Sequence, residues 1–345
     1  MIFLSCYSPL HALLIRDGEK KKLKFIPKPG GFESYDPTMI DPKFSGINPA
    51  TGLPYVIKIP CGKCIGCRLD YTRSWADRLM LELSTTPGKK SCFLTLTYDP
   101  QHVHYCFDEE NDPDHVSPVS LTLDKRDFQL FMKRLRFHFP EKKLRFLGCG
   151  EYGSSTLRPH LHFIIFGLCL EDFSDYRFLT YNKLHQPLYT SDVLRDIWSN
   201  GNVSISSVSY NTCAYVARYN LKKAYGLDSK PSDFALDPFI LMSRRPGIGS
   251  EYFDLHPDCL QQSAIYLSAD GQSRRLSIPR YFWKKFELDN PELCAKMKSD
   301  RMMLQRNREL HKLCKTDLGY DDLLDLEEER ALAHCTILLE ERIGD

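Results

Sequence analysis

The chain lacks a surplus of either charge: 46 Lys and Arg face 45 Asp and Glu over 345 residues, a formal net charge of +1. A wholly basic nucleic-acid coat or a wholly acidic solvating tail is thereby excluded as a description of the whole. Long apolar runs are missing as well. The longest, FIIFGLCL from Phe163 to Leu170, is far short of the roughly 20 residues that span a bilayer, so no membrane association is expected. The opening MIFLSCYSPLHALLIRDG has no basic start, and Ser5, Tyr7, Ser8 and Pro9 interrupt its apolar stretch. No export signal is expected, which predicts a cytoplasmic protein. No G-x-x-x-x-G-K-[ST] loop occurs, which argues against a fused helicase, and there is neither a βαβ glycine fingerprint nor a repeat.

What is present is enough for a full core, with 42% hydrophobic and 12% aromatic residues. The 13 cysteines are expected to be reduced, as core residues or metal ligands. The neutral total hides a gradient: Lys20 to Arg78 and Lys125 to Arg145 are basic, while the tail after Asp317 is acidic. Periodicity predicts a helix from about Asp70 to Ser84, with Thr72, Trp75, Ala76, Leu79, Met80 and Leu83 on one face. CFLTLTY at 92–98 alternates and reads as a strand. Asp124 is placed to cap a helix with a stripe of Phe128, Phe131, Met132, Leu135 and Phe139. LRFLGCGEYG and HLHFIIFG read as adjacent antiparallel strands. Thr190 or Ser191 can cap a further helix, NVSISSV is a short strand, and Asn211 can cap a helix running to Ala224. Interleaved strands and helices without a βαβ pattern predict an α+β fold. The expected division is an N-terminal segment at 1–85, a catalytic core at 86–230 and an accessory region at 231–345.

In a strand, alternate residues share a face, so His160 and His162 of RPHLHFIIFG point one way while Leu161, Phe163 and Ile165 point the other. A bare H-x-H says little. If the two strands pair as a hairpin, however, Glu151 meets both rings and gives two nitrogens and one oxygen around a cation. Three ligands with open positions describe a catalytic metal site, and the mixed set suits Mn²⁺ or Mg²⁺ acting on phosphate, with Zn²⁺ also compatible. In AYVARYNLKKAYG, a helix aligns Tyr215, Tyr219 and Lys222 at i, i+4 and i+7. A phenol loses its proton near pH 10, so as a nucleophile it needs a nearby cation or base. Together these predict tyrosine attack on a phosphodiester with two sequential transfers.

The order FLTLTY, GEYGSSTLRPHLHFIIFG, YVARYNLKK resembles the three motifs of HUH endonucleases that initiate rolling-circle replication. PCGKCIGCR, DFQLFMKRLR, SRRPGIG and IPRYFWKK are similar to the replication initiators of gokushovirus-like microviruses, over most of residues 55–285. The resemblance implies a central antiparallel sheet of about five strands flanked by helices. It implies Glu151, His160 and His162 as ligands of Mg²⁺ or Mn²⁺, Tyr215 and Tyr219 as alternating nucleophiles, and Lys222 assisting at the phosphate. It further implies single-stranded origin DNA as substrate, host helicase and DNA polymerase as partners, and the host bacterial cytoplasm as the place of action. Two rivals remain: a non-catalytic zinc-containing nucleic-acid-binding protein, and a metallophosphodiesterase that uses water.

Cys61, Cys64 and Cys67, at C-x₂-C-x₂-C spacing, can turn toward one ion, with Cys6 in CYSP as a fourth ligand. Structural Zn²⁺ is the first reading and an iron–sulfur cluster the second. For single-stranded DNA, the basic residues of the 124–138 helix and Arg158, Arg218, Arg244 and Arg245 are candidates.

Overall fold

A computed structural model describes residues 6–17, 20–26, 57–107, 118–153, 156–182, 185–218, 230–262, 264–269 and 272–340. The chain forms two compact units, one built mainly from residues 71–302 and the other from 2–70 with 303–338.

In the unit formed by 2–70 and 303–338, β1 (Leu10–Asp17) pairs antiparallel with β2 (Lys20–Ile26) and with β3 (Ile57–Ile59). Ala12 and Leu13 of β1 are fully buried. Lys58 of β3 bonds Glu309 at 3.0 Å and lies 3.5 Å above the Tyr320 ring, so the sheet is tied to the helices Pro291–Leu313 and Tyr320–Glu340. α1 (Ile65–Thr85) starts earlier than its apolar stripe suggests, at the end of the cysteine motif.

The unit of residues 71–302 is organised by a seven-stranded antiparallel sheet in the order β12-β7-β8-β4-β11-β10-β9. Its strands are β4 (Ser91–Tyr98), β7 (Arg145–Tyr152), β8 (Pro159–Phe166), β9 (Arg177–Tyr181), β10 (Pro187–Thr190), β11 (Gly201–Ser206) and β12 (Phe239–Met242). The fold is α+β with a large antiparallel sheet, of seven strands where the resemblance implies about five. β5 (His104–Phe107) and β6 (Pro118–Thr122) form a separate ribbon. Asp124 caps α2 (Lys125–His138) by accepting from the Arg126 amide at 2.7 Å, and Ser191 caps α3 (Asp192–Trp198). α4 (Tyr210–Ala217) begins one residue before Asn211. Its cap is Ser209, which exchanges two bonds with Thr212 as a capping box.

Because strand side chains alternate, the sheet carries two cores. Leu94, Leu96, Leu161, Phe163 and Ile165 pack on one face with α2 and α3 residues such as Phe128, Leu135 and Trp198. Leu147, Cys149, Ile164 and Phe166 pack on the other with Ala76 and Leu79 of α1 and Cys213 and Val216 of α4. β8 is therefore sandwiched, which is why its sequence is apolar on both faces beyond the histidines.

α1 buries more than its apolar stripe, since Asp77 and Glu82 are 1% and 4% exposed. Asp77 accepts from the amide and hydroxyl of Ser277. Glu82 pairs with Arg145 of β7 and accepts from the Gly249 amide at 2.6 Å. Glu82→Ala would leave the Arg145 charge and that amide buried without their partner. A loss of about 3–5 kcal/mol in unfolding free energy is expected, read from a denaturant melt.

Candidate active site

The register of the β7–β8 hairpin sets Glu151 directly across from His160, and β4 sets Thr97 opposite His160 and Thr95 opposite His162. One carboxylate oxygen, Glu151 Oε1, lies 3.0 Å from His160 Nε2 and 2.9 Å from His162 Nε2. Two rings and a carboxylate of this donor set can hold a cation between them. α4 packs over the same sheet face and delivers Tyr215, whose hydroxyl donates to Glu151 Oε1 at 3.2 Å and lies 3.5 Å from His162 Nε2.

The far nitrogens of both rings are also engaged. His160 Nδ1 lies 3.1 Å from the Arg158 carbonyl, an acceptor only, so that nitrogen carries the proton. His162 Nδ1 lies 3.0 Å from the Thr95 hydroxyl. Such outer partners fix the ring orientation and aim each Nε2 at the shared centre. Phe93 stacks on the His162 ring at 5.6 Å and meets Tyr215 edge-on at 6.2 Å.

Glu151 is 5% exposed. Burial pushes its acid constant up, but the bonds from His160 and His162 and their charges prevail and hold the carboxyl well below the usual glutamate range. The carboxylate is thus kept ionised in a nearly dry site. Placed between two imidazole nitrogens, it demands positive charge at the centre, supplied by ring protons or by a metal ion in their place.

Glu151, His160, His162 and Tyr215 come together as their spacing predicts. Tyr219 and Lys222 lie outside the described residues. Thr95 and Phe93 escaped the sequence reading, although the alternation of β4, which buries Cys92, Leu94 and Leu96 on the opposite face, was the signal that could have found them. Several proposed DNA contacts are placed elsewhere. α2 packs against the sheet face opposite the site, and Arg134 donates to the Ile197 and Trp198 carbonyls. Arg158 is bound to the Tyr98 carbonyl at 2.7 Å. Arg244 and Arg245 are exposed.

Two other clusters could hold a cation. Cys6, Cys61, Cys64 and Cys67 converge, and so do His104, Asp124 and Asp127. In the latter the carboxylates are already engaged, Asp124 as the α2 cap and Asp127 with His104 at 2.7 Å. No helix of the described residues is long and apolar enough to cross a membrane.

The family described as Replication-associated protein ORF2 matches residues 91–224, a span that holds β4, the β7–β8 hairpin and α4. The chain is 28% identical to the Replication-associated protein ORF2 of Spiroplasma virus 4, over 82% of this chain and 81% of that one. It is 32% identical to the Replication-associated protein VP4 of Bdellovibrio phage phiMH2K, over 68% of this chain and 69% of that one. It is also 29% identical to the Replication-associated protein ORF4 of Chlamydia phage 1, over 65% of this chain and 52% of that one. No solved structure matches.

Proposed function

Because the chain belongs to the family of phage replication-associated proteins, we propose that it initiates rolling-circle replication by cutting single-stranded origin DNA with a tyrosine nucleophile. The observation that carries this reading is the meeting of Glu151, His160, His162 and the Tyr215 hydroxyl at one point of a buried sheet face.

Tyr215 Oη forms the new bond to phosphorus while the bond from phosphorus to the 3′ oxygen breaks. The electron pair leaves on that oxygen, which takes a proton and becomes a free 3′ hydroxyl, and the 5′ phosphate stays on the tyrosine. One phosphoester replaces another, so no nucleotide is consumed and the reverse attack rejoins the strand. The free hydroxyl is a primer for a host polymerase, and a host helicase supplies unwinding. Tyr219 is the second nucleophile, for cutting the regenerated origin, and Lys222 assists at the phosphate.

Glu151, His160 and His162 would hold the divalent ion, Mg²⁺ or Mn²⁺, which when bound supplies positive charge to the phosphate oxygens. The residues fit such an ion, since three ligand atoms converge on one point and the far ring nitrogens already have partners. Phe93 holds the His162 plane, and the Thr95 hydroxyl holds its outer nitrogen.

The test is incubation with labelled single-stranded origin DNA and Mn²⁺ followed by a denaturing gel. Label that migrates with the protein until protease treatment supports the proposal. Cut DNA with free ends on both fragments would identify water as nucleophile. Binding without any cutting would favour the non-catalytic module.

A further inference from the structure

We propose that Cys6, Cys61, Cys64 and Cys67 bind one zinc ion as four thiolates, forming a closed structural site on which the folding of the unit formed by residues 2–70 and 303–338 depends.

Four thiolates at about 2.3 Å from a tetrahedral zinc stand about 3.8 Å apart. The sulfurs of Cys6 and Cys64 are 3.9 Å apart, and those of Cys61 and Cys67 are 4.0 Å apart. All four ligand atoms lie within 4.8 Å of one another. That spacing is well outside the roughly 2.05 Å of a disulfide bond, and it is too tight for thiolates arranged around a cluster of several irons. It suits a single ion, and four protein ligands leave no open position for a substrate.

The surroundings favour thiolates over thiols. The Cys61 amide donates to Cys6 Sγ at 3.2 Å, the Lys63 and Cys64 amides donate to Cys61 Sγ at 3.4 and 3.3 Å, and the Tyr7 amide donates to Cys64 Sγ at 3.4 Å. Cys64 immediately precedes α1 and Cys67 lies in its first turn, where unpaired helix amides further stabilise negative charge. Four thiolates crowded this closely repel one another unless a dication sits among them. N–H donors aimed at sulfur therefore describe the outer shell of a metal centre.

Cys6 explains what the ion does. It is 4% exposed and lies 55 residues before Cys61, so one ion closes a long segment of chain and fixes its start beside β1. The ion takes the place of a large apolar core in a unit whose described sheet has only three strands, the last of them three residues long. Binding energy of this kind is folding energy.

The test uses the full-length chain, purified without added metal and washed with a mild chelator. Elemental analysis should find about one zinc per chain. After stripping and reloading with Co²⁺, an intense thiolate-to-cobalt charge-transfer absorption should appear, which the nitrogen and oxygen ligands of Glu151, His160 and His162 cannot produce. Cys6→Ser should abolish most of the zinc and the absorption, and it should open residues 2–70 to limited proteolysis. Cys314→Ser, at an exposed cysteine, should change neither. Cys6→His restores a fourth ligand and should recover zinc with a weaker absorption, which separates loss of ligation from simple misfolding. Full zinc content in Cys6→Ser, iron in place of zinc, or a wild-type chain without the cobalt–thiolate band would each overturn the proposal.

Discussion

Tyr215→Phe is expected to lower the rate of covalent adduct formation by on the order of a thousandfold or more while leaving the fold intact. The substitution removes one oxygen, the one that donates to Glu151 at 3.2 Å. It keeps the ring that meets His162 at 5.4 Å and Phe93 at 6.2 Å. Melting temperature should therefore move little, and metal binding, read by calorimetry with Mn²⁺, should persist. Loss of adduct with unchanged metal binding identifies a nucleophile and not a structural phenol. The Tyr215→Phe, Tyr219→Phe chain should form no adduct at all. If Tyr215→Phe alone reacted at the wild-type rate, Tyr215 would be removed from the chemistry.

Glu151→Gln attacks the same site from the metal side. The amide keeps the size of the side chain and cancels its charge, so the cation loses its only carboxylate ligand among these residues. A rate loss on the order of 10³, about 4 kcal/mol of transition-state stabilisation, is expected. The residual activity should demand far more Mn²⁺. The same variant reports on stability without metal. The folded-state acid constant of Glu151 lies below the ordinary glutamate value, so its contribution is present above about pH 4.3 and is lost as pH falls through the folded value. Denaturant melts of the stripped wild type should thus weaken as pH drops below the usual glutamate range. Glu151→Gln should show a shallower fall over that window, and an unchanged slope would mean that the carboxylate is not held ionised by its neighbours.

Much of the site was legible because it is built from local periodicities. The two-residue repeat of β8 places His160 and His162 together whatever else the chain does, and a short connection between two apolar strands makes their hairpin pairing the economical arrangement. Asp124 and Ser191 cap their helices through bonds to amides two and three residues on, so their roles also follow from sequence alone. Asn211 competed with Ser209 on equal local terms, and the Thr212 hydroxyl returning to the Ser209 amide decided between them.

The remainder depended on contacts between segments distant in the chain. Glu82 reads as a solvent-facing charge on an amphipathic helix, and only the arrival of Arg145 and Gly249 makes it a buried anchor. Thr95 and Phe93 look like ordinary strand residues until β4 pairs with β8 and sets them against the His162 ring. α2 reads as a basic helix fit for DNA, yet its apolar stripe commits it to the sheet face away from the metal ligands. By itself the sequence determined the composition of the site, an α+β architecture and the shared face of the two histidines, because alternation and capping act over a few residues. The tertiary structure alone decided that Tyr215 reaches Glu151 across 64 positions and that Cys6 closes the cysteine set across 55. Such meetings are set by how sheets and helices pack, which no short stretch of sequence encodes.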